Sequence, residues 1–359
     1  MLIGVPAEIK AWERRVGLTP AGAASLVQRG HQVRVQAGAG QSAGYPDEAY
    51  EAAGVELVSG PESVFEAALV VKVKEPQAAE IAQLRSDQIL FCYLHLAGDR
   101  DLTAALQASG VTGIAYETVT DGAGNLPLLR PMSEIAGRLA VQMGAQGLLA
   151  EHGGRGLLLG GMPGVAPARV LVIGAGVSGT AAVAAAVGFE ADVWVLDLNI
   201  ERLADLRRQH GAAVATLHNS TGVLERELAR ADLVIGAVLV PGARAPKLIT
   251  REMLSAMPRG AVLVDLAIDQ GGCAETSRPT THDDPFYLVD DIVHYAVANV
   301  PGAVPRTATQ ALCNATLPFV QALADHGLQA LDANPHLAAG LNLKDGEICH
   351  PAVADAMRR

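Results

Sequence analysis

The 359-residue sequence has little cysteine, no excess of basic residues and no long uncharged apolar run. Its cysteines (Cys92, Cys273, Cys313 and Cys349) lie far apart without CxxC spacing, so we expect reduced thiols rather than disulfides or a zinc site. The net charge of −11 disfavours a nucleic-acid partner, because a phosphate backbone needs a basic face. No apolar run reaches the roughly 18 residues of a membrane span, and the N-terminus lacks a signal-peptide layout. These absences predict a soluble, cytoplasmic protein without a membrane or nucleic-acid partner.

What is present is apolar and rich in glycine. Hydrophobic residues make up 50% of the chain and charged residues 18%, which indicates a well-buried globular protein. The 38 glycines suit an α/β fold with many tight turns between strands and helices. The length exceeds that of one ordinary core and predicts two domains.

Short apolar runs alternate with amphipathic stretches, as is typical of parallel sheets covered on both faces. An initial series of predicted strands comprises Leu2–Val5, His31–Ala37, Leu69–Val73, Ile89–Leu94 and Gly113–Tyr116. A later series comprises Arg169–Gly174, Ala191–Asp197, Ala213–Leu217, Leu233–Val238 and Ala261–Leu266. Predicted helices include Pro20–Arg29, Pro131–His152 and Thr307 to about Gly327, after which we expect a short polar tail.

The last helix has no predicted sheet of its own, so we expect the chain to return to the first domain. The prediction is an α/β protein with two Rossmann-type, doubly wound parallel-sheet domains and a cleft between them. Residues 1–130 with 306–359 would form a discontinuous substrate domain, and residues 131–305 would bind a dinucleotide.

A glycine-rich turn predicts the cofactor. Gly174, Gly176 and Gly179 follow an apolar strand and open a helix, where glycine permits the tight turn, the approach of a pyrophosphate and close packing of helix on strand. The next strand ends in Asp197, at about the 20-residue separation expected of an acid that binds the ribose hydroxyls. A carboxylate repels a 2′-phosphate and so favours NAD over NADP, although Arg202 could soften that exclusion. The alternative is a packing turn without a ligand.

Four ionisable residues follow strands and suggest chemistry, namely Arg15, Lys74, His95 and Asp269. Taken singly, Arg15 could be a surface charge, Lys74 a charge that keeps the sheet edge soluble, and His95 a core histidine with its hydrogen bonds satisfied. Carboxyl ends of parallel strands share one edge, however, so the first three are expected to converge. Cations for a carboxylate, a group titrating near neutrality and an acid that orients water suit hydride transfer at a carbon bearing nitrogen.

The sequence resembles a known family, the bacterial alanine dehydrogenases, which share a fold with the NAD-binding subunit of proton-translocating transhydrogenase. The motifs that carry the resemblance are Arg15-Val-Gly-Leu-Thr-Pro20, Lys72-Val-Lys74-Glu-Pro76, Tyr93-Leu-His95-Leu, Pro131-Met-Ser133-Glu-Ile-Ala-Gly-Arg138, Gly174-Ala-Gly-Val-Ser-Gly179, Ala237-Val-Leu-Val-Pro-Gly-Ala243, Asp265-Leu-Ala-Ile-Asp269-Gln-Gly-Gly-Cys273 and Ala298-Asn299-Val-Pro301. They extend from Ile3 to about Gly340 and are more specific than the glycine turn alone.

The resemblance implies reversible oxidative deamination of L-alanine to pyruvate and ammonium, with NAD, in a homohexamer. By matching motifs, Arg15 and Lys74 would bind the substrate, His95 would donate and accept a proton, and Asp269 would position or activate water. Besides the three glycines, the implied cofactor-binding residues are Ser133, Val177, Ser178, Asp197, Arg202, Val238, Leu239, Ala267, Ile268, Asp269, Arg278, Val297, Ala298, Asn299 and Val300. Some family members bind magnesium, and the matching positions here are Glu117 and His326, although one glutamate and one histidine are too few to specify a metal.

Two other functions stay open from the sequence. A transhydrogenase-type NAD-binding subunit has the same fold but gives Arg15, Lys74 and His95 no evident purpose. A reductive condensing dehydrogenase of the opine or saccharopine type shares the combination of cations and histidine, and spacing alone does not exclude it.

Overall fold

The structure is a computed structural model that describes residues 1–238 and 245–358. The chain forms two compact units, one made of Met1–Met132 with Val304–Arg359 and the other of Ser133–Ala303. In the described part of the chain, no helix is long and apolar enough to cross a membrane.

The first unit is built on an eight-stranded sheet. Its strands are β1 (Leu2–Val5), β2 (Gln32–Gln36), β3 (Glu56–Val58), β4 (Leu69–Val71), β5 (Ile89–Cys92), β6 (Thr112–Ala115), β14 (Leu341–Lys344) and β15 (Glu347–Ile348). The order is β15-β14-β6-β5-β4-β1-β2-β3, with all pairs parallel except those of β14, which runs antiparallel to both β6 and β15. Its helices are α1 (Pro20–Gln28), α2 (Asp47–Ala52), α3 (Pro61–Phe65), α4 (Ala78–Ile81), α5 (Arg100–Ser109), α11 (Pro305–His326), α12 (Gln329–Ala333), α13 (Pro335–Ala338) and α14 (Pro351–Arg358).

The second unit is built on a seven-stranded sheet. Its strands are β7 (Arg169–Ile173), β8 (Asp192–Asp197), β9 (Val214–His218), β10 (Leu233–Gly236), β11 (Val262–Asp265), β12 (Phe286–Val289) and β13 (Ile292–Tyr295). The order is β12-β13-β11-β10-β7-β8-β9, with only β12 antiparallel. Its helices are α6 (Arg130–Gly147), α7 (Val177–Gly188), α8 (Ile200–His210), α9 (Thr221–Leu228) and α10 (Arg251–Ser255). The first three residues of α6 belong to the first unit, since the second unit begins at Ser133.

The strands form where short β-branched and aliphatic runs can be buried on both faces. All four residues of β5, and likewise of β10 and β11, are buried, as expected of strands covered by helices on both sides. Helix α1 begins as predicted, because the Thr19 side chain accepts a hydrogen bond from the N–H of Gly22 and Pro20 occupies the first turn. Gly30, just past its end, has a φ of 87°.

The prediction of two α/β, Rossmann-type parallel-sheet domains is confirmed. The prediction of a polar tail after Gly327 is wrong, because residues in that region form α12, α13, β14, β15 and α14. Strand β14 adds antiparallel to β6, and Leu343 and Val353 are buried in the same cluster as Leu94 and Leu96. The segment alternates apolar and polar residues too briefly to stand out in the sequence.

Candidate active site

In each unit the candidate residues lie at the edge formed by the carboxyl ends of the parallel strands. In the first sheet β1 lies between β4 and β2, so the strand order changes direction between β1 and β4. Ligands of doubly wound sheets bind at such a switch point. Arg15 follows β1, Lys74 follows β4 and His95 follows β5, which places the three predicted substrate and catalytic residues on loops after neighbouring strands.

Arg15 is buried rather than a surface charge, with 2% of its surface exposed. Its Nε donates to Oε1 of Glu13 at 2.7 Å, and a second guanidinium nitrogen donates to Oε2 of the same carboxylate. A third nitrogen, Nη1, donates to Sδ of Met132 at 3.0 Å. Burial alone would lower the pKa of Arg15, but the hydrogen bonds and charge of Glu13 raise it above its usual value, so the guanidinium stays charged.

A buried ion cluster holds the loop that carries Lys74. Lys72 Nζ lies 2.6 Å from Oε1 of Glu80 and 3.2 Å from Oε2 of Glu8. Glu8 also accepts the N–H of Val73 at 2.7 Å and that of Lys74 at 3.4 Å. Lys74 itself is half-buried. Because a carboxylate from the loop after β1 binds the backbone after β4, the two loops are fixed to each other.

His95 is held by its backbone while its imidazole remains half-exposed. The residue has a left-handed conformation (φ 51°), and its N–H donates to Oε1 of Glu117 at 2.6 Å. The carboxylate also accepts the N–H of Leu94, and Nδ1 of His95 lies 3.8 Å from Oε1. The ring stacks on that of Tyr93, with 5.7 Å between centroids and 1° between planes. His95 is therefore an accessible, oriented imidazole and not a core histidine.

The structure does not bring Glu117 and His326 together within one chain. Glu117 follows the carboxyl end of β6 and contacts His95. His326 ends α11 beside Asp325, whose carboxylate pairs with His31, one residue before the amino end of β2. The two predicted magnesium ligands thus lie at opposite edges of the sheet, and no group of three or more His, Cys, Asp or Glu suited to a metal occurs in the described ranges.

The glycine turn of the second unit has the geometry that a pyrophosphate site requires. Gly174 has a φ of 101°, and a Cβ there would lie 2.6 Å from the carbonyl oxygen of Ala237. A Cβ at Gly179 would lie 1.8 Å from the carbonyl oxygen of Gly174, so helix α7 depends on glycine at this contact. A Cβ at Gly176 would meet nothing within 4 Å, which leaves its surroundings open for a ligand. The turn lies between β7 and β10, where the order of this sheet also reverses.

Asp197 is tied to the glycine turn as well as ending its strand. Its Oδ2 accepts the N–H of Ala175 at 2.5 Å, and its Oδ1 accepts that of Asn199 at 2.7 Å. The carboxylate is therefore fixed next to the turn, where each oxygen has a second lone pair to accept a ribose hydroxyl. The residues present fit a dinucleotide without a 2′-phosphate.

The loop after β11 carries Ala267, Ile268 and Asp269, and it is organised by Asp265. This buried carboxylate accepts hydrogen bonds from the N–H groups of Ala267 and Cys273 at 3.0 and 2.8 Å and from the Ser277 hydroxyl at 2.6 Å. Asp269 occupies a 3-10 turn (Ile268–Gln270) and is exposed.

The other predicted cofactor residues lie on the described loops and helix starts of the same unit, with one exception. Ser133 is in the first turn of α6, and Gly137, one turn later, packs against the carbonyl oxygen of Ser178 in α7. The guanidinium of Arg278 lies 4.1 Å from the centre of the Tyr287 ring. Val177 starts α7, Arg202 lies in α8, Val238 follows β10, and Val297, Ala298, Asn299 and Val300 follow β13. Leu239 lies outside the described residues.

The sequence interpretation missed the carboxylates that hold the loops: Glu8 and Glu13 after β1, Asp265 at the end of β11, and the role of Glu117 toward His95. No local sequence signal marked these contacts, because each depends on how the loops fold and on which carboxylates become buried.

These features define a class, a two-domain α/β protein with a Rossmann-type dinucleotide site in one unit and a cation and histidine site in the other. The family described as "Alanine dehydrogenase/PNT, N-terminal domain" matches residues 4–136, and the one described as "Alanine dehydrogenase/PNT, C-terminal domain" matches residues 140–351. The chain belongs to the alanine dehydrogenase/PNT family, and it is an oxidoreductase.

Three similar proteins cover nearly the whole chain. The alanine dehydrogenase of Halomonas elongata is 58% identical over 358 residues, which are 99% of this chain and 96% of the relative. A solved structure of an L-alanine dehydrogenase has a TM-score of 0.97 at 50% identity, over 100% of this chain and 99% of the other. A transhydrogenase structure from Sinorhizobium meliloti has a TM-score of 0.83 at 26% identity, over 98% of this chain and 100% of the other. The similarity favours alanine dehydrogenase over the two alternative functions.

Proposed function

We propose that the protein catalyses the reversible oxidative deamination of L-alanine to pyruvate and ammonium with NAD. The observation that carries the proposal is the position of Arg15, Lys74 and His95 on loops after β1, β4 and β5, around the switch point of the first sheet. The high identity to alanine dehydrogenases supports the choice of substrate.

NAD, when bound, accepts the hydride that leaves the α-carbon of the substrate. Gly174, Gly176 and Gly179 would admit its pyrophosphate to the amino end of α7, and Asp197 would accept hydrogen bonds from a ribose. The remaining contacts to the cofactor would come from Ser133, Val177, Ser178, Arg202, Val238, Leu239, Ala267, Ile268, Arg278 and Val297–Val300.

The substrate residues divide the remaining work. Arg15 and Lys74 would bind the substrate carboxylate and carbonyl, and their positive charge would fix the α-carbon for hydride transfer. His95 would exchange a proton with the reacting nitrogen or with water, since its imidazole is half-exposed and held in orientation beside Glu117 and Tyr93. Asp269 would orient the water whose oxygen becomes the carbonyl oxygen of pyruvate as ammonium leaves.

Assembly, compartment and metal are proposed from the family resemblance and from the cysteines. The family resemblance implies a homohexamer, which light scattering of the purified protein would test. The four cysteines are unpaired, three of them buried, which suits the reducing cytoplasm, where the protein would serve in amino-acid catabolism. Magnesium at Glu117 and His326 stays a prediction from the resemblance, and one chain does not bring the two side chains together.

The test is formation of NADH with L-alanine at alkaline pH, repeated with other amino acids and with NADP. We expect alanine and NAD to be preferred. Tight NADH binding without turnover would instead favour a transhydrogenase-type subunit. Turnover of a keto acid plus a second amino acid, without activity on alanine, would favour an opine-type enzyme.

A further inference from the structure

The motifs that point to a dehydrogenase give no role to Glu13, whose carboxylate pairs with the guanidinium of Arg15. Its side chain is fully buried. Oε1 accepts the backbone N–H of Arg14 at 3.1 Å and of Arg15 at 3.0 Å, besides Nε of Arg15 at 2.7 Å. One carboxylate therefore fixes both the backbone and the guanidinium of the loop after β1.

The ion pair with Glu13 determines which edge of the Arg15 guanidinium remains to face a substrate. Glu13 binds the edge formed by Nε and Nη2, with one oxygen for each nitrogen. Nη1 donates to the Met132 sulfur at 3.0 Å. A thioether is a weak acceptor and a carboxylate a strong one, so Nη1 would bind an approaching substrate carboxylate more strongly than it binds the Met132 sulfur. A guanidinium can accommodate two carboxylates because its donors form a rigid, planar fork.

We propose that Glu13 is the positioning residue for substrate recognition: it holds Arg15 in one orientation and directs Nη1 toward the substrate carboxylate. This inference rests on the proposed function, because it assigns Arg15 to the carboxylate of alanine and pyruvate. Glu13 does not itself touch the substrate.

The competing explanation is a purely structural ion pair that balances a buried charge. The chain offers a matched example in Glu227 of α9, whose side chain is 2% exposed and pairs with Arg169 and Arg226. Arg169 begins β7, at the edge of the second sheet opposite to the glycine turn. Glu227→Gln therefore removes a buried carboxylate from an arginine pair without approaching either candidate site.

The experiment compares Glu13→Gln with Glu227→Gln in the full-length protein. We expect Glu13→Gln to raise the KM for pyruvate about 10- to 100-fold, because a misplaced binding group costs that much. The Kd of NADH should stay within about twofold, and Glu227→Gln should lower the melting temperature without changing either constant. An unchanged KM for pyruvate in Glu13→Gln would overturn the inference.

A double-mutant cycle with Arg15→Lys tests whether Glu13 acts through Arg15. In the Arg15→Lys background, Glu13→Gln should add little to the KM, because a lysine has no fork to orient. An equal increase in both backgrounds would refute the positioning role. Should Glu13→Gln fail to fold, Glu13→Asp keeps the charge while shortening the reach, and a raised KM with intact NADH binding is again expected.

The two proposals fail in different ways. If the wild-type protein does not convert alanine or pyruvate, the proposed function is wrong. If the wild-type protein does so and Glu13→Gln matches it, only the role of Glu13 is wrong.

Discussion

At the scale of single residues, His95 combines an unfavourable backbone with an accessible ring. A left-handed conformation costs a residue other than glycine roughly 1–2 kcal/mol. Hydrogen bonds from the N–H groups of Leu94 and His95 to Glu117 offset that cost. The conformation brings the imidazole parallel to the Tyr93 ring instead of into the core. Strain held in place by surrounding contacts is a common feature of catalytic positions.

His95→Ala is expected to reduce turnover by about 10² or more, the usual contribution of a general acid–base group. NADH affinity should be nearly unchanged, because the proposed cofactor-binding residues lie in the other unit. Steady-state kinetics with L-alanine and a fluorescence titration with NADH measure the two effects. Partial recovery with added imidazole would support a proton-transfer role, whereas turnover within tenfold of wild type would refute it.

At the scale of elements, the glycines at the start of α7 differ in whether a Cβ atom would collide with the neighbouring backbone. Gly179 and Gly176 differ in what a Cβ would meet, namely the Gly174 oxygen at 1.8 Å and nothing within 4 Å. The two positions therefore separate the packing role of a glycine from its role in ligand approach.

Gly179→Ala should destabilise the second unit and abolish NADH binding, because α7 has to move away from the turn. Gly176→Ala should keep the wild-type melting temperature and weaken NADH binding, since only the approach of the pyrophosphate is hindered. Gly188→Ala, at the open end of α7, serves as the control with both properties unchanged. Wild-type NADH affinity in Gly176→Ala would argue against a pyrophosphate at this turn. Calorimetry and fluorescence titration report the two properties.

The elements also show how far the sequence could lead. β1 and the glycine turn followed from local signals, an apolar run and fixed glycine spacing, which the structure retains. β14 could not be found because its four residues alternate apolar and polar side chains over too short a length to stand out, and its partner β6 is more than 200 residues away. The pairing of Glu13 with Arg15 was equally hidden, since it depends on how a loop folds back on itself.

At the scale of the whole molecule, stability should depend on pH through His294 in β13. It is buried, its Nδ1–H donates to the Ile292 carbonyl at 3.0 Å, and its Nε2 lies 2.8 Å from the Thr276 hydroxyl. Burial lowers the pKa of His294 below its usual value of 6.5. The folded state therefore favours the neutral ring, and its stabilisation is complete above about pH 6.5 and is lost as the pH falls toward the lowered pKa.

The melting temperature should thus decrease from pH 7 to pH 5. His294→Gln should lower it at pH 7 but flatten its dependence on pH, because an amide does not titrate. His218→Gln, at the exposed end of β9, is the control and should follow the wild-type curve. A His294→Gln curve parallel to that of the wild type would show that other groups cause the decrease.

The discontinuous first unit has a consequence for how the protein is made. Residues 133–303 are continuous and can finish folding while the ribosome is still adding the C-terminal segment. The N-terminal sheet meanwhile lacks β14 beside β6 and the contact of Thr309 with Val16. An open strand edge on a nascent chain invites pairing with other chains. The order of completion is thus reversed relative to synthesis, and the part translated first is the last to be completed.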